Sequence, residues 1–411
     1  LLSENYMRLG KKDLISLNVW LQRTERQIPL AIYETALTQQ DDDVMRLTSE
    51  WGHSFSKSQL KVRGAWFIEN QDFNNFTQDS SYFNNSETFI GEAEYSIQVA
   101  KNHKVDVGFN ATSNLADVQS YSSEGIWQHR QAAFAGYHWK ILEPLQFSAM
   151  LRQEFVDGDD VPFTYTFGMN WDVIWGISLK GQFSKVYRTP TLNDKYWNPG
   201  GNPNLKAEDG YAQEISLVWE NERKNLNWNV TLTGFNRNIS NWIIWQPKAG
   251  IWSPQNLLDV WSRGWETRSF VKWEKNKFSA RLSALGNYTI STNEESLRPN
   301  DATVGKQLIY TPIYNGTAGL DLRYSRFSLS YTHSYTGYTY TASDHSSSLE
   351  PYQLGNLNFN YRHHWKKFGG NLFFKINNIW NESYQVVRNR PMPGINYNLG
   401  VNLNLKFKNQ K

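Results

Sequence analysis

Aromatic side chains are the clearest candidates for binding chemistry in this sequence. The 411 residues include 18 Trp and 22 Tyr. Four of these residues stand in or near long polar stretches rich in Gly, Pro, Asn and Ser: Trp197, Trp245, Trp252 and Tyr340. Flat aromatic rings in such stretches can stack against a large, partly planar organic ligand. The alternative is that aromatic residues here belong to a girdle where a membrane meets water.

An acidic run offers a candidate metal site. Asp41, Asp42 and Asp43 follow Gln39 and Gln40 in a polar stretch that we predict to be an early loop. Their oxygen atoms are the ligand type that calcium prefers, so bound calcium could order this loop. The alternative is an acidic loop tip that only water solvates. No other cofactor is predicted.

Catalytic and nucleic-acid functions find no support in the sequence. The chain has no Cys, and it lacks the G-x-S-x-G, H-E-x-x-H and phosphate-binding glycine motifs. Its carboxylate pairs stand in polar stretches, where solvation explains them. Basic residues are spread along the chain rather than clustered, which argues against a nucleic-acid partner. We therefore predict a protein that is not an enzyme.

Turn lengths predict the architecture. Short, mostly basic turns alternate strictly with long polar loops along the whole chain, and the segments between them alternate apolar and polar residues. Up-and-down barrels have short turns on one rim and long loops on the other, which a sandwich or propeller does not require. The pattern predicts about eighteen strands, preceded by the tail of one more in residues 1–8. Residues 1–411 are therefore predicted to be one all-β domain, a transmembrane antiparallel up-and-down β-barrel.

The last predicted strand carries this pattern most clearly. Leu399, Val401 and Leu403 should face lipid, whereas Asn402 and Asn404 should face the lumen. No run in the chain approaches the ~18 apolar residues of a membrane helix. A barrel strand needs no such run, because only alternate residues face lipid.

Several motifs resemble one family. The segment YRTPTLNDKY (residues 187–196) and the following GNPNLKAE (201–208) resemble the mid-barrel signature of TonB-dependent outer-membrane transporters. Gly264 with Glu266 resembles the family's Gly-x-Glu, and INNIWNESYQ (376–385) and PMPGINY (391–397) resemble its closing motifs. Ile395 stands where the family commonly has Arg. The resemblance covers the chain from about residue 184 to the C-terminus.

This resemblance implies a function and partners. Family barrels have twenty-two strands, an N-terminal plug and a TonB box, so four strands, the plug and the box are expected before Leu1. The implied function is TonB-dependent import of a scarce nutrient across the outer membrane of a Gram-negative bacterium, with cobalamin favoured over a ferric siderophore. Implied partners are outer-membrane lipid, the TonB complex, the nutrient and a surface lipoprotein lid. The alternative is a passive, porin-like or structural barrel.

The turn pattern also predicts orientation. The loops at residues 187–209, 238–256 and 384–396 should lie on the same rim. His363 and Lys366, at a short turn, should lie on the opposite rim.

Overall fold

The fold is a single large antiparallel sheet. The computed structural model describes residues 1–28, 32, 38–76, 80–248, 250–295, 301–364 and 368–405. Its main sheet has 20 strands, and each strand pairs in antiparallel fashion with its neighbours along the chain. Among the described residues, no helix is long and apolar enough to cross a membrane.

The strands follow one another as neighbouring hairpins, interrupted once by a helix of five residues, α1 (Leu192–Tyr196). In chain order they are β1 (Leu2–Leu9), β2 (Asp13–Ile28), β3 (Thr38–Ser54), β4 (Ser58–Asn75), β5 (Ser80–Ala100), β6 (His103–Val118), β7 (Ile126–Leu142), β8 (Leu145–Val156), β9 (Asp159–Asp160), β10 (Thr164–Ile174), β11 (Ile177–Arg188), β12 (Glu208–Arg223), β13 (Leu226–Lys248), β14 (Ile251–Lys275), β15 (Phe278–Asn293), β16 (Tyr314–Tyr324), β17 (Phe327–Thr336), β18 (Thr339–Tyr340), β19 (Ser348–Leu349), β20 (Tyr352–His364), β21 (Phe368–Asn377), β22 (Gln385–Val387), β23 (Arg390–Pro391) and β24 (Asn396–Leu405).

Connections on the two rims differ as predicted. Turns of two or three residues join β1 to β2, β3 to β4 and so on along one rim, which we call the short-turn rim. The other connections include long loops of up to 20 residues, and they form the loop rim. Setting aside the two-residue β9, the 20-stranded sheet has the eighteen strands and the leading tail that the turn pattern predicts. The predicted all-β, up-and-down architecture is confirmed.

Several predicted loops are shorter than expected because the strands continue into them. Residues 38–43 belong to β3 and residues 69–75 to β4. Most of residues 238–256 form the paired ends of β13 and β14 rather than an irregular loop. Polar side chains do not prevent pairing, because the backbone groups still satisfy one another across the hairpin. Side-chain amides add to this, as where Asn85 donates to Asn70 across β4 and β5.

The sheet has one apolar and one polar face. Leu399 lies opposite Phe374 and Val401 opposite Leu372, and cross-strand partners share a face. Leu399 and Leu403 are 74% and 73% exposed, as expected for side chains that face lipid. Asn402 and its neighbours at alternate positions lie on the other face. The side chain of Leu405 is outside the described residues.

The polar face is the concave one. Residues of β2 to β6 line a common cavity with the loop that follows β11, although β11 is not adjacent to any of these strands in the sheet. The sheet must therefore curve around its polar face. Within the described residues, β1 pairs only with β2 and β24 only with β21, so the curved sheet is not closed.

The predicted orientation agrees with this topology. The connections after β11, β13 and β21 all lie on the loop rim. His363 pairs with Gly370 at the far ends of β20 and β21, on the short-turn rim. Lys366 is outside the described residues.

Candidate functional site

The connection between β11 and β12, residues 189–207, is the most elaborately built part of the loop rim. It begins with a capped turn of helix, α1, whose N-cap is Thr191. The Thr191 hydroxyl accepts a hydrogen bond from the Asp194 backbone N–H (3.1 Å), and the Asp194 carboxylate accepts one from the Thr191 backbone N–H (2.9 Å). Such a reciprocal capping box satisfies donors that a short helix would otherwise leave free. We call residues 189–207 the central loop.

Two buried carboxylates, one in the central loop and one at the start of β12 directly after it, bind the β13–β14 hairpin. Glu208 is buried and pairs with Arg188 through two hydrogen bonds. The same carboxylate accepts a hydrogen bond from the Ile243 backbone N–H (2.7 Å). Asp194, only 6% exposed, accepts one from the Trp245 indole N–H (2.8 Å). Charge-assisted hydrogen bonds of this kind are among the stronger ones in proteins.

Neutral contacts extend this attachment to the tip of the hairpin. The Asn202 amide donates to the Pro254 carbonyl (3.2 Å), and the Asn256 side chain both accepts from and donates to the Lys206 backbone. Gly200 has a φ of +120° and lies against the Trp252 backbone, where a Cβ atom would come within 2.1 Å of the carbonyl oxygen. Glycine is therefore required at this close approach.

The other side of the central loop contacts the β6–β7 loop. The Asn198 backbone N–H donates to the Ser120 carbonyl (2.8 Å), and the Tyr121 hydroxyl donates to the Asn193 side chain. Burial, with a smaller contribution from the Asp194 charge, raises the pKa of the Tyr121 phenol. The phenol therefore stays protonated and remains a hydrogen-bond donor. Held on two sides, the central loop has a fixed position over the concave face.

A cavity of about 1020 Å³ lies between the central loop and the loop-rim ends of β2 to β6. We call it the mouth cavity. Its volume is at the upper end of the ~300–1,000 Å³ of typical small-molecule sites. Four aromatic rings contribute to its lining: Trp20, Phe73, Tyr82 and Trp197. The cavity can therefore accept a large organic molecule and offer it several flat apolar contacts.

Amides and paired charges provide the rest of the polar lining. Five side-chain amides contribute, from Gln22, Gln71, Asn84, Asn193 and Asn198. The charged side chains lining the cavity are Arg26, Asp42, Arg46 and Glu69, two of each sign. Arg26 pairs with Asp42 at 2.8 Å, and Arg46 pairs with Glu69. The lining consequently carries no net charge and is rich in groups that both donate and accept hydrogen bonds.

Three of the four predicted aromatic residues come together around the central loop, in different roles. Trp197 lines the mouth cavity. Trp245 holds the loop through Asp194. Trp252 contacts the loop through its backbone, and its side chain is 59% exposed.

Tyr340 lies apart from this group. It belongs to the β18–β19 hairpin, where its ring stacks on His345 with 3.5 Å between ring centroids. Neither Trp245, Trp252 nor Tyr340 is among the described residues that line the mouth cavity.

The predicted loop position of Asp41, Asp42 and Asp43 is wrong, because all three belong to β3. Successive strand residues point to opposite faces, so Asp42 points away from Asp41 and Asp43 and the three carboxylates cannot converge on one ion. Asp42 faces the cavity and pairs with Arg26, whereas Asp43 lies across from Arg23 on the other face. Among the described residues, no group of three His, Cys, Asp or Glu side chains could hold a metal ion. Calcium binding by these residues stays a prediction, and this geometry does not favour it.

Sequence reasoning missed most of the mouth cavity. Trp20, Phe73 and Tyr82 stand at strand positions whose neighbours two residues away are polar, as with Gln22 and Gln71. Aromatic side chains at such positions must face the concave side, where contact with lipid cannot explain their presence. The signal in the sequence was therefore an aromatic residue at an alternate strand position that otherwise carries polar residues.

Comparison with known proteins assigns the fold and the family. Residues 16–379 match the family model described as TonB dependent receptor-like, beta-barrel. The vitamin B12 transporter BtuB of Photobacterium profundum is 27% identical over 187 residues, which make up 42% of this chain and 30% of that relative. The chain thus matches less than a third of that protein's length.

Solved structures show the same architecture at low sequence identity. The siderophore receptor PirA from Acinetobacter baumannii has a TM-score of 0.74 and 13% identity, over 98% of this chain and 69% of that one. A mutant of the ferric enterobactin receptor PfeA from Pseudomonas aeruginosa has a TM-score of 0.75 and 14% identity, over 98% and 68%. At such identities these likenesses describe the fold alone.

Proposed function

The chain belongs to the TonB dependent receptor-like β-barrel family, and on that premise we propose that it forms the wall of an outer-membrane importer for cobalamin. This family consists of transporters and receptors rather than enzymes, and its fold implies the outer membrane of a Gram-negative bacterium. Its members interact with TonB and import small-molecule nutrients. The choice of nutrient, and of active over passive transport, is our proposal.

The observation that carries the proposal is the chemistry of the mouth cavity. Cobalamin combines a broad macrocycle with a periphery of amide groups. Aromatic rings such as Trp197 suit the macrocycle, and the five Asn and Gln side chains of the lining suit the amides. The similarity to a vitamin B12 transporter supports the same choice.

Charge argues against the main alternative, a ferric siderophore of the catecholate class. Such chelates are polyanions, and a site for them needs unpaired cations. Both arginines of the cavity lining are paired with carboxylates, so the lining is electrically balanced. Binding a polyanion there would require breaking these pairs.

The proposed coupling of import to energy implies further partners for this protein. We infer that TonB acts through a plug held inside the barrel, that lipid surrounds the apolar face, and that a surface lipoprotein lid could cover the loop rim. A passive channel would need neither TonB nor the firmly attached central loop. The attachment of that loop through Glu208 and Asp194 supports a built binding surface rather than an open pore.

Binding of cyanocobalamin to the purified full-length protein tests the nutrient. A buried aromatic contact contributes about 1–3 kcal/mol, so Trp197→Ala should weaken binding about tenfold or more. Trp175→Ala is the matched control, because Trp175 lies at a turn on the opposite rim. Its dissociation constant should equal that of the wild type. Tighter binding of a ferric catecholate than of cyanocobalamin, or equal binding by both variants, would contradict the proposal.

A further inference from the structure

The two rims of the sheet carry opposite charge. The eight described turns of the short-turn rim contain Arg326 and six lysines against one carboxylate, Glu143, the lysines being Lys11, Lys12, Lys57, Lys101, Lys224 and Lys277. The described connections of the loop rim, with the short strands inside them, contain eleven carboxylates against five Lys and Arg residues. The short-turn rim is therefore strongly cationic, and we call these seven side chains the basic collar.

The basic collar is accessible to an external group. All seven residues are exposed. Within the described part of the chain, none of them forms an ion pair with an Asp or Glu side chain, whereas Lys140 beside them pairs with Glu143. Like charges gathered on one rim repel one another, so the arrangement is costly unless an anion lies close by.

A ring of outward-facing tryptophans lies directly beside the basic collar. Each is within five residues of a short turn, and each is between 39% and 47% exposed: Trp51, Trp139, Trp171, Trp219 and Trp273. Trp175 stands at a turn itself and is 81% exposed. Tryptophan takes this position where hydrocarbon meets lipid headgroups. Lys57, Lys224 and Lys277, which follow Trp51, Trp219 and Trp273 in the adjoining turns, then lie at the level of the headgroup phosphates.

We propose that the basic collar binds anionic phospholipid headgroups, such as phosphatidylglycerol, in the leaflet at the short-turn rim. Basic side chains next to a membrane attract anionic lipid, and the exposed Nζ groups of the collar supply hydrogen-bond donors for phosphate oxygens. The inference rests on the chain spanning a membrane and not on which nutrient it carries.

Lipid counting on the full-length protein tests this proposal. The protein is refolded into vesicles of phosphatidylethanolamine and phosphatidylglycerol with identical acyl chains, extracted in mild detergent, and its bound lipids are counted by native mass spectrometry. Wild-type protein should carry phosphatidylglycerol in excess of its share in the vesicles. The triple variant Lys12→Gln, Lys57→Gln, Lys277→Gln should reduce this excess at least about tenfold.

Two controls keep the result decisive. The matched triple Lys206→Gln, Arg388→Gln, Arg390→Gln removes the same charge from the loop rim and should keep the wild-type excess. Concentrated salt should abolish the excess on the unmutated protein, because exposed charges are screened. The proposal is overturned if wild-type protein carries phosphatidylglycerol only in the vesicle proportion. It is equally overturned if both triples behave alike or if salt has no effect.

Discussion

Replacing Trp245 with Phe isolates the hydrogen bond that holds the central loop. The indole N–H donates to Asp194 Oδ1 at 2.8 Å, while Oδ2 keeps its bonds to Thr191. Phe preserves most of the ring's packing but removes the donor. A buried charged acceptor that loses one of its donors costs about 1–3 kcal/mol. Because Asp194 retains its other bonds, we expect about 1–2 kcal/mol.

This loss of stability should affect the central loop and not the sheet as a whole. The sheet is held by backbone pairing among 20 strands, whereas the central loop can open on its own. Hydrogen exchange of the central-loop amides should therefore accelerate by about five- to thirtyfold, with exchange in β11 and β12 unchanged. Cyanocobalamin affinity should fall with it, since Trp197 lies in the same loop.

Trp252→Phe is the matched control. Trp252 lies in the same hairpin and is more than half exposed. An exposed substitution of this kind should change stability by no more than about 0.5 kcal/mol. Equal central-loop exchange in the two variants would refute the role given to the Trp245–Asp194 hydrogen bond. Global loss of folding in Trp245→Phe alone would refute its local character.

Three further predictions concern the wall, the glycine contact and the Arg188–Glu208 pair. Leu403→Arg should cost about 2–4 kcal/mol of folding free energy in lipid, whereas Asn404→Arg on the concave face should be far milder; equal effects in a refolding titration would show a wrong register. Gly200→Ala should accelerate exchange across residues 189–207 at least as much as Trp245→Phe, because its methyl group would clash with the Trp252 carbonyl. Arg188→Gln should leave buried Glu208 without its cation and destabilise the loop by about 1–3 kcal/mol, and unchanged exchange would contradict this.

The architecture could be predicted because its signals are local. Turn residues and two-residue alternation lie within one hairpin, so the order of short turns and long loops predicted the strand number and the opposite positions of the rims. The same reasoning predicted loops that are longer than those in the structure. It treated polar residues such as Asp41 and Asn70 as loop residues, although backbone pairing continues through them.

The candidate site was predictable only in part. Trp197 was recognisable because the Gly- and Pro-rich segment around it is unlike a turn. The role of Trp245 was not recognisable, because its partner Asp194 is 51 residues away in the sequence. The mouth cavity is lined by residues of β2 to β6 and by the loop that follows β11. Only the curvature of the sheet brings these two parts of the chain together.

Uptake of radiolabelled cyanocobalamin by cells that express the full-length protein, with and without TonB, tests the central claim most directly. The account predicts that uptake requires TonB while binding at the cell surface persists without it. It also predicts that Trp197→Ala lowers both binding and uptake, whereas Trp175→Ala lowers neither. Uptake that continues undiminished in cells lacking TonB would contradict the account and indicate a passive channel.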